Sequence, residues 1–312
     1  MGTLSERNQY SVGSTGAVLA LDQTEEKVFE ILAQCNLDCV DFWLFRYCKG
    51  AYTPMLEEGW ERWANRIGSI SREYHLPIEQ THAHFNEFLP DDGSYQGPSE
   101  ILFRNIRACR MMGCDRIIVH PVLTDTRIRS LEQRQYIMDY NLRWFSELLP
   151  IAEECQVEIH IENMFRIPAG AGRGDYPFPF NEAASLVWLA QKLQHPLVRI
   201  CLDTGHANLC GYDIPAFIRT VGDYLGTLHL NDNIGDISPY YSDLHLFPGH
   251  GTIPWDQAVK ALKEINYQGN FSMEALYPAL RTMPTESFIQ LSRSAAEFLR
   301  LQLRLERNGQ NV

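Results

Sequence analysis

Short apolar runs that end on a polar residue alternate along this chain with longer stretches whose apolar positions recur every three or four residues. The first pattern predicts buried strands and the second amphipathic helices. Tyr10 to Leu19 reads as a first strand interrupted by Gly and Ser, and Val28, Phe29, Leu32 and Cys35 form the stripe of the first helix. Leu37 to Phe45 is the second strand, followed by a helix with Trp60, Trp63, Ala64, Ile67 and Tyr74 on one face. Pro77 to Phe85 is the third. Its Gly/Pro-rich exit ends at Ser99, a suitable N-cap for the helix carrying Leu102, Ile106 and Cys109. Cys114 to His120 is the fourth strand, stopped by Pro121. The helical pattern after it, from Met138 to Ala152, contains Pro150, which should kink or break it.

The second half repeats the alternation. Strand five, Val157 to Glu162, leads into "NMFRIPAGAGRGDYPFPF", a loop long enough to serve as an active-site lid. Asn181 is placed to cap the helix of Leu186, Leu189, Ala190 and Leu193. Strand six, Val198 to Asp203, precedes a helix started by Asp213 and Pro215. Strand seven, Leu225 to His229, is followed by a second long loop and the helix of Trp255, Ala258, Val259, Leu262 and Ile265. Strand eight, Asn270 to Glu274, and a last helix with Phe288, Leu291, Ala295, Phe298 and Leu301 complete the series.

Alternating strands and helices without a linker or low-complexity break predict an α/β fold, a single (β/α)8 TIM barrel over residues 1–312 with the last helix region, 284–308, packed on the outside. A doubly wound sheet is the weaker alternative, because no G-x-G-x-x-G turn joins the first strand to a helix.

Composition narrows the function. A net charge of −12 argues against broad electrostatic binding to nucleic acid or anionic membrane, both of which need a basic surface, and leaves room only for a local basic cleft. No apolar stretch is long enough to span a bilayer and no signal peptide is recognisable, so a cytoplasmic protein is expected. The eight cysteines lack zinc-ribbon spacing and are read as reduced core residues. A possible homo-oligomer has no sequence signature of its own.

Four strands end on a potential metal ligand: Glu162, Asp203, His229 and Glu274. In a barrel the C-terminal strand ends face one another around the mouth, so these side chains should converge. Three carboxylates and one imidazole suit one divalent metal ion (Mn, Zn, Mg or Co), which also relieves the repulsion among the carboxylates. Taken singly, Asp203 could cap the turn at Thr204-Gly205, Glu274 could accept backbone hydrogens and His229 could be a core histidine. His82 and His120 end strands three and four, where they could contact substrate or pack in the core. Asp243 and His245 read as fixing the "FPGHG" turn, and His160 as a core histidine.

The motifs "LDTGHANLCGYD", "LHLNDN", "DLHLFPGHGTIPW" and "SMEA" resemble the xylose isomerase-like barrel superfamily, in particular its sugar phosphate isomerase/epimerase and ketose 3-epimerase members. The resemblance implies a metal held by Glu162, Asp203, His229 and Glu274, with Glu162 and Glu274 also carrying protons and His206 contacting substrate oxygens. A small-molecule sugar or polyol is then the expected partner. One glutamate would remove a proton next to the ketose carbonyl through an enediolate, and the other would return one from the opposite face or to the adjacent carbon.

Ketose 3-epimerases often carry an arginine in the loop after strand seven, and "NDNIGDISPYYSD" has none. Arg166 or Arg173 could take that place and bind a phosphate. Trp43, Tyr47, Tyr52, Phe165 and Tyr240 are candidates to stack on a sugar ring, and His82, His120 and His245 to touch substrate. The wider set His82, His120, Glu162, Asp203, His206, His229, Asp243, His245 and Glu274 also resembles the ligands of the trinuclear-zinc apurinic endonucleases of the same superfamily. A sugar-binding barrel without catalysis and an inosose-type dehydratase are the other readings.

Overall fold

Among the described residues of the computed structural model, which are 11–15, 23–85, 87–165, 175–235, 243–275 and 283–307, eight parallel strands form one sheet. They are β1 (Val12–Thr15), β2 (Cys39–Trp43), β3 (Ile78–His82), β4 (Arg116–Val119), β5 (Glu158–Glu162), β6 (Val198–Asp203), β7 (Leu225–His229) and β8 (Phe271–Met273). Their order around the sheet is β7-β6-β5-β4-β3-β2-β1-β8. The two ends meet at a bridge between Leu230 and Met273, where the Leu230 N–H donates to Ser272 O (2.8 Å) and the Glu274 N–H to Leu230 O (3.1 Å). The result is a nearly closed barrel.

The helices are α1 (Glu25–Gln34), α2 (Trp60–Glu73), α3 (Glu100–Met111), α4 (Leu131–Ser146), α5 (Leu149–Cys155), α6 (Ala183–Leu193), α7 (Thr204–Leu209), α8 (Ile214–Val221), α9 (Trp255–Glu264) and α10 (Thr285–Arg307). No described helix is long and apolar enough to cross a membrane. All eight cysteines are free thiols, and six of them are buried.

Side chains alternate between two faces along each strand. Ile159 and Ile161 of β5, like Ile117 and Val119 of β4, belong to the apolar shell between sheet and helices. Their neighbours His160 and Glu162 point the other way, so the barrel interior is polar even though it is fully buried. His160 is satisfied there, with Nδ1 2.9 Å from Thr227 Oγ1 and Nε2 3.0 Å from Glu158 Oε2. That is the core role its position predicts.

The long helical pattern after β4 is broken where proline demands it. Residues 131–146 and 149–155 form separate helices, and Pro150 lies in the first turn of the second, where its missing N–H costs nothing. Asp213 caps α8 as expected, accepting from the Ala216 N–H at 2.6 Å. Two expected caps are different. Ser99 occupies the N-cap of α3, but its side chain accepts no cap hydrogen bond; its hydroxyl is turned to donate to Glu87 Oε1 (2.8 Å). Asn181 lies in a 3-10 turn one residue before the N-cap Glu182, so its side chain does not cap α6. Some strands, β3 and β4 among them, are also shorter than the apolar runs suggest. Leu44 to Cys48, for example, turns into a 3-10 helix instead of extending β2. Helix α10 packs on α9 and over β1 and β8, outside the barrel.

Candidate active site at the strand ends

The four predicted ligands converge. Glu162, Asp203, His229 and Glu274 each offer one ligand atom, and all four atoms lie within 4.8 Å of one another. β5, β6 and β7 bring the first three together by register: Glu162 pairs with Cys201 and Asp203 with His229. Glu274 arrives from the other side of the seam, one residue beyond β8. His229 Nδ1 stands 3.1 Å from Glu162 Oε1 and 3.1 Å from Glu274 Oε2, flanked by the two glutamates.

Asp203 also plays the structural part that its position allows, since Oδ1 accepts from the His206 N–H (2.6 Å) and caps α7. Its other oxygen accepts from Asn231 Nδ2 at 2.7 Å.

Two further clusters adjoin this one. His82, His120 and Glu162 form the first: Glu162 Oε2 lies 2.9 Å from His120 Nε2 and 3.2 Å from His82 Nε2. His206, Asp243 and His245 form the second, with Asp243 Oδ2 3.2 Å from His206 Nε2 and in close contact with His245 Nε2. Asp243 and His245 therefore face the cavity together with His206, in addition to bordering the turn that the sequence suggests for them.

Backbone carbonyls orient three of these rings. The Nδ1–H of His82 donates to Ala83 O (2.9 Å), that of His206 to Asn163 O (2.9 Å) and that of His245 to Glu274 O (2.7 Å). Each ring thus turns its Nε2 towards the cavity.

The carboxylates and imidazoles of the site shift one another's protonation. Burial pushes Asp203 up to about 8, helped by the like charges of Glu274, Asp243 and Glu162. Burial also opposes the charged form of Glu162, but His229 and His120 outweigh it and hold that carboxyl well below its usual range. Glu274 is held down to about 2 against burial, chiefly by His229. His229, His206 and His245 are raised against the cost of burial by the surrounding carboxylates, His245 to about 9. The His120 imidazolium is disfavoured by burial, which the attraction of Glu162 does not overcome. Glu274 Oε2 is buried without a hydrogen-bond partner among the described residues. An unsatisfied carboxylate oxygen facing an imidazole nitrogen and two more carboxylates is a donor set suited to a divalent ion.

Beside the cluster lies a cavity of about 290 Å³, lined by the site histidines and carboxylates and by an apolar wall of Trp43, Phe45, Phe85, Leu123, Met164 and Phe165, whose aromatic rings pack against the histidines. Of the aromatic residues proposed to meet a sugar, Trp43 and Phe165 line it. Tyr47 instead stacks on Phe42 and packs against Trp63, and Tyr52 is exposed. Arg166, Arg173 and Tyr240 lie outside the described residues. Phe45, Phe85, Leu123 and Met164 carry no polar signal, and nothing but the fold could have singled them out.

Residues 29–301 match the family described as the xylose isomerase-like TIM barrel. This chain belongs to that family. Among its curated relatives, the D-psicose 3-epimerase of Enterocloster bolteae is 33% identical over 134 residues, 43% of this chain and 38% of that enzyme. Alignments to the first curated relatives span 38 to 64% of their lengths. A crystal structure of a D-tagatose 3-epimerase-like protein superposes with a TM-score of 0.69 at 22% identity, covering 96% of this chain and 99% of that one. The IOLI protein, crystallised with a zinc atom, superposes at 0.71 with 17% identity, covering 93% of this chain and 97% of its own.

Proposed function

We propose that this barrel is a divalent-metal-dependent sugar isomerase or epimerase acting on a ketose or related polyol, in the cytoplasm. The observation that carries the reading is the placement of two glutamates on either side of His229 Nδ1, within one ligand set and under a pocket of sugar-sized volume. Its likeness to the psicose and tagatose 3-epimerases supports the same class of chemistry.

Glu162, Asp203, His229 and Glu274 would hold the ion, which supplies polarisation of the substrate carbonyl. Glu162 and Glu274 come from opposite sides of the barrel seam. One takes a proton from the carbon beside the carbonyl and the other delivers one to the opposite face. His206 and His245, whose Nε2 atoms both meet Asp243 Oδ2, form with that carboxylate the polar cluster that meets substrate oxygens, while His82 and His120 hold the outer oxygen of Glu162. The apolar wall excludes water from the carbon that carries negative charge during transfer. Exchange of substrate C–H hydrogen with deuterated solvent, screened over ketoses and their phosphate esters, tests the reading. Absence of exchange with every member in the metal-loaded protein overturns it.

A second reading has its own observation. Two of the three donor sets share Glu162, and together the three resemble the ligand pattern of a trinuclear-zinc phosphodiesterase. Three ions per chain by elemental analysis, with cleavage of abasic DNA, would establish it in place of the first.

A further inference from the structure

Asp41 lies in the middle of β2, fully buried in the barrel interior, and its Oδ2 accepts three hydrogen bonds: from Gln80 Nε2 (2.6 Å), His229 Nε2 (3.0 Å) and Ser272 Oγ (3.1 Å). β2 and β7 are not neighbours in the sheet, so the contact with His229 crosses the interior. The orientation of Gln80 is fixed independently, because its Oε1 accepts from Asn270 Nδ2 at 2.9 Å and its amide nitrogen must therefore face Asp41. Every group around Oδ2 is thus a donor. The His229 nitrogen that faces Asp41 carries hydrogen, and Nδ1 is the one turned towards Glu162 and Glu274.

His229 differs in this from the other site histidines. His82, His206 and His245 are anchored through Nδ1 by neutral backbone carbonyls, whereas His229 is anchored through Nε2 by a carboxylate. Packing alone would not call for that charge. An asparagine oxygen would serve the Gln80 and Ser272 donors, and burying a neutral amide costs less than burying an ion. The carboxylate is explained by what it does to His229: an anionic partner fixes the ring orientation and makes the opposite nitrogen a stronger electron-pair donor.

We infer that Asp41 is the positioning residue of the metal centre, holding His229 with Nδ1 directed at the cation and strengthening that ligand bond. The inference rests on the metal-dependent reading above.

The test compares the protein with its Asp41→Asn and Asp41→Ala variants, stripped of metal and titrated with Co2+ and Zn2+ against a chromophoric chelator. Loss of roughly ten- to hundredfold in affinity is expected for D41N, and more for D41A. Binding of Co2+ by D41N within twofold of the parent overturns the inference. Should neither variant fold, nitrogen-15 shifts of the His229 ring in the cation-loaded parent decide. Hydrogen on Nε2 with the cation on Nδ1 supports the inference, and the reverse overturns it. Failure of the parent to bind either ion sinks the functional reading along with it, whereas equal binding by parent and variant sinks the role of Asp41 alone.

Discussion

Glu162 holds one carboxylate oxygen 2.9 Å from the Nε2 of His120 and turns the other away from it, towards His229. The carboxylate therefore has two sides with different duties. Glu274 is placed differently: its Oε2 faces both His229 Nδ1 (3.1 Å) and, farther off, His245 Nδ1 (3.8 Å). Both Glu162→Gln and Glu274→Gln should lower turnover by roughly 10²- to 10⁴-fold, the range for loss of a proton-transferring group. They should differ in solvent exchange: the variant that lacks the abstracting base loses deuterium incorporation into substrate, and the other retains it. Equal retention in both would remove the glutamates from the proton path.

Metal-free protein should lose stability as pH rises from about 5 to 9. His245 is raised to about 9 by Asp243 against the cost of burial, so its contribution is complete below about 6.5 and is lost as pH climbs through 9. Asp203, raised to about 8 mainly by burial, adds in the same direction, because its folding cost appears as it ionises in the unfolded chain and is complete above 8. The carboxyls held low, Glu162 and Glu274, act below this window. Thermal melts in chelator should show the decline, and excess divalent cation should flatten it. A melting temperature that rises over the same range would contradict the charge balance described here.

Gly205 is hemmed in by the side chains that support two of the ligand sets. A Cβ there would lie 1.7 Å from Asn231 Oδ1 and 2.5 Å from Asn233 Nδ2. Asn231 holds Asp203, and Asn233 donates to Asp243 Oδ1 at 2.9 Å. Gly205→Ala should cost about 1–3 kcal/mol, as overpacking does, and should weaken cation binding as well. Denaturant unfolding with and without metal separates the two effects, and unchanged binding would show that the asparagines adapt without moving their carboxylates.

Asp243→Asn separates the two functional readings. In a one-ion sugar enzyme it loosens His206 and His245, raising KM severalfold while elemental analysis still finds a single ion. In a three-ion centre it removes a ligand, and the ion count falls.

The quartet of ligands was readable because each carboxylate or imidazole interrupts an apolar strand at its end, the one place where a barrel exposes side chains to a shared mouth. β5, β6 and β7 were legible almost to the residue for the same reason. β1, with Gly13 and Ser14 at its centre, has too little apolar pattern to mark its limits; Val12–Thr15 is the strand among the described residues, and residues 10 and 16–19 of the run lie outside them. Asp41 was passed over although it interrupts "CVDFW" just as visibly. Its partners Gln80, His229 and Ser272 lie 39, 188 and 231 residues away, so no local pattern could supply them. The apolar wall was hidden for the opposite reason: Phe45 and Phe85 look like any core residue until the fold sets them against His82, at ring distances of 5.7 and 5.5 Å.

Among the described residues the seam between β7 and β8 is laced by two backbone hydrogen bonds at Leu230, and His229 and Glu274 stand on its opposite lips. A cation shared by those two residues would be a clasp on the barrel as well as a reagent. Loading and unloading it would then be felt as breathing of the hoop, fastest where the amides of Leu230 and Glu274 exchange with solvent.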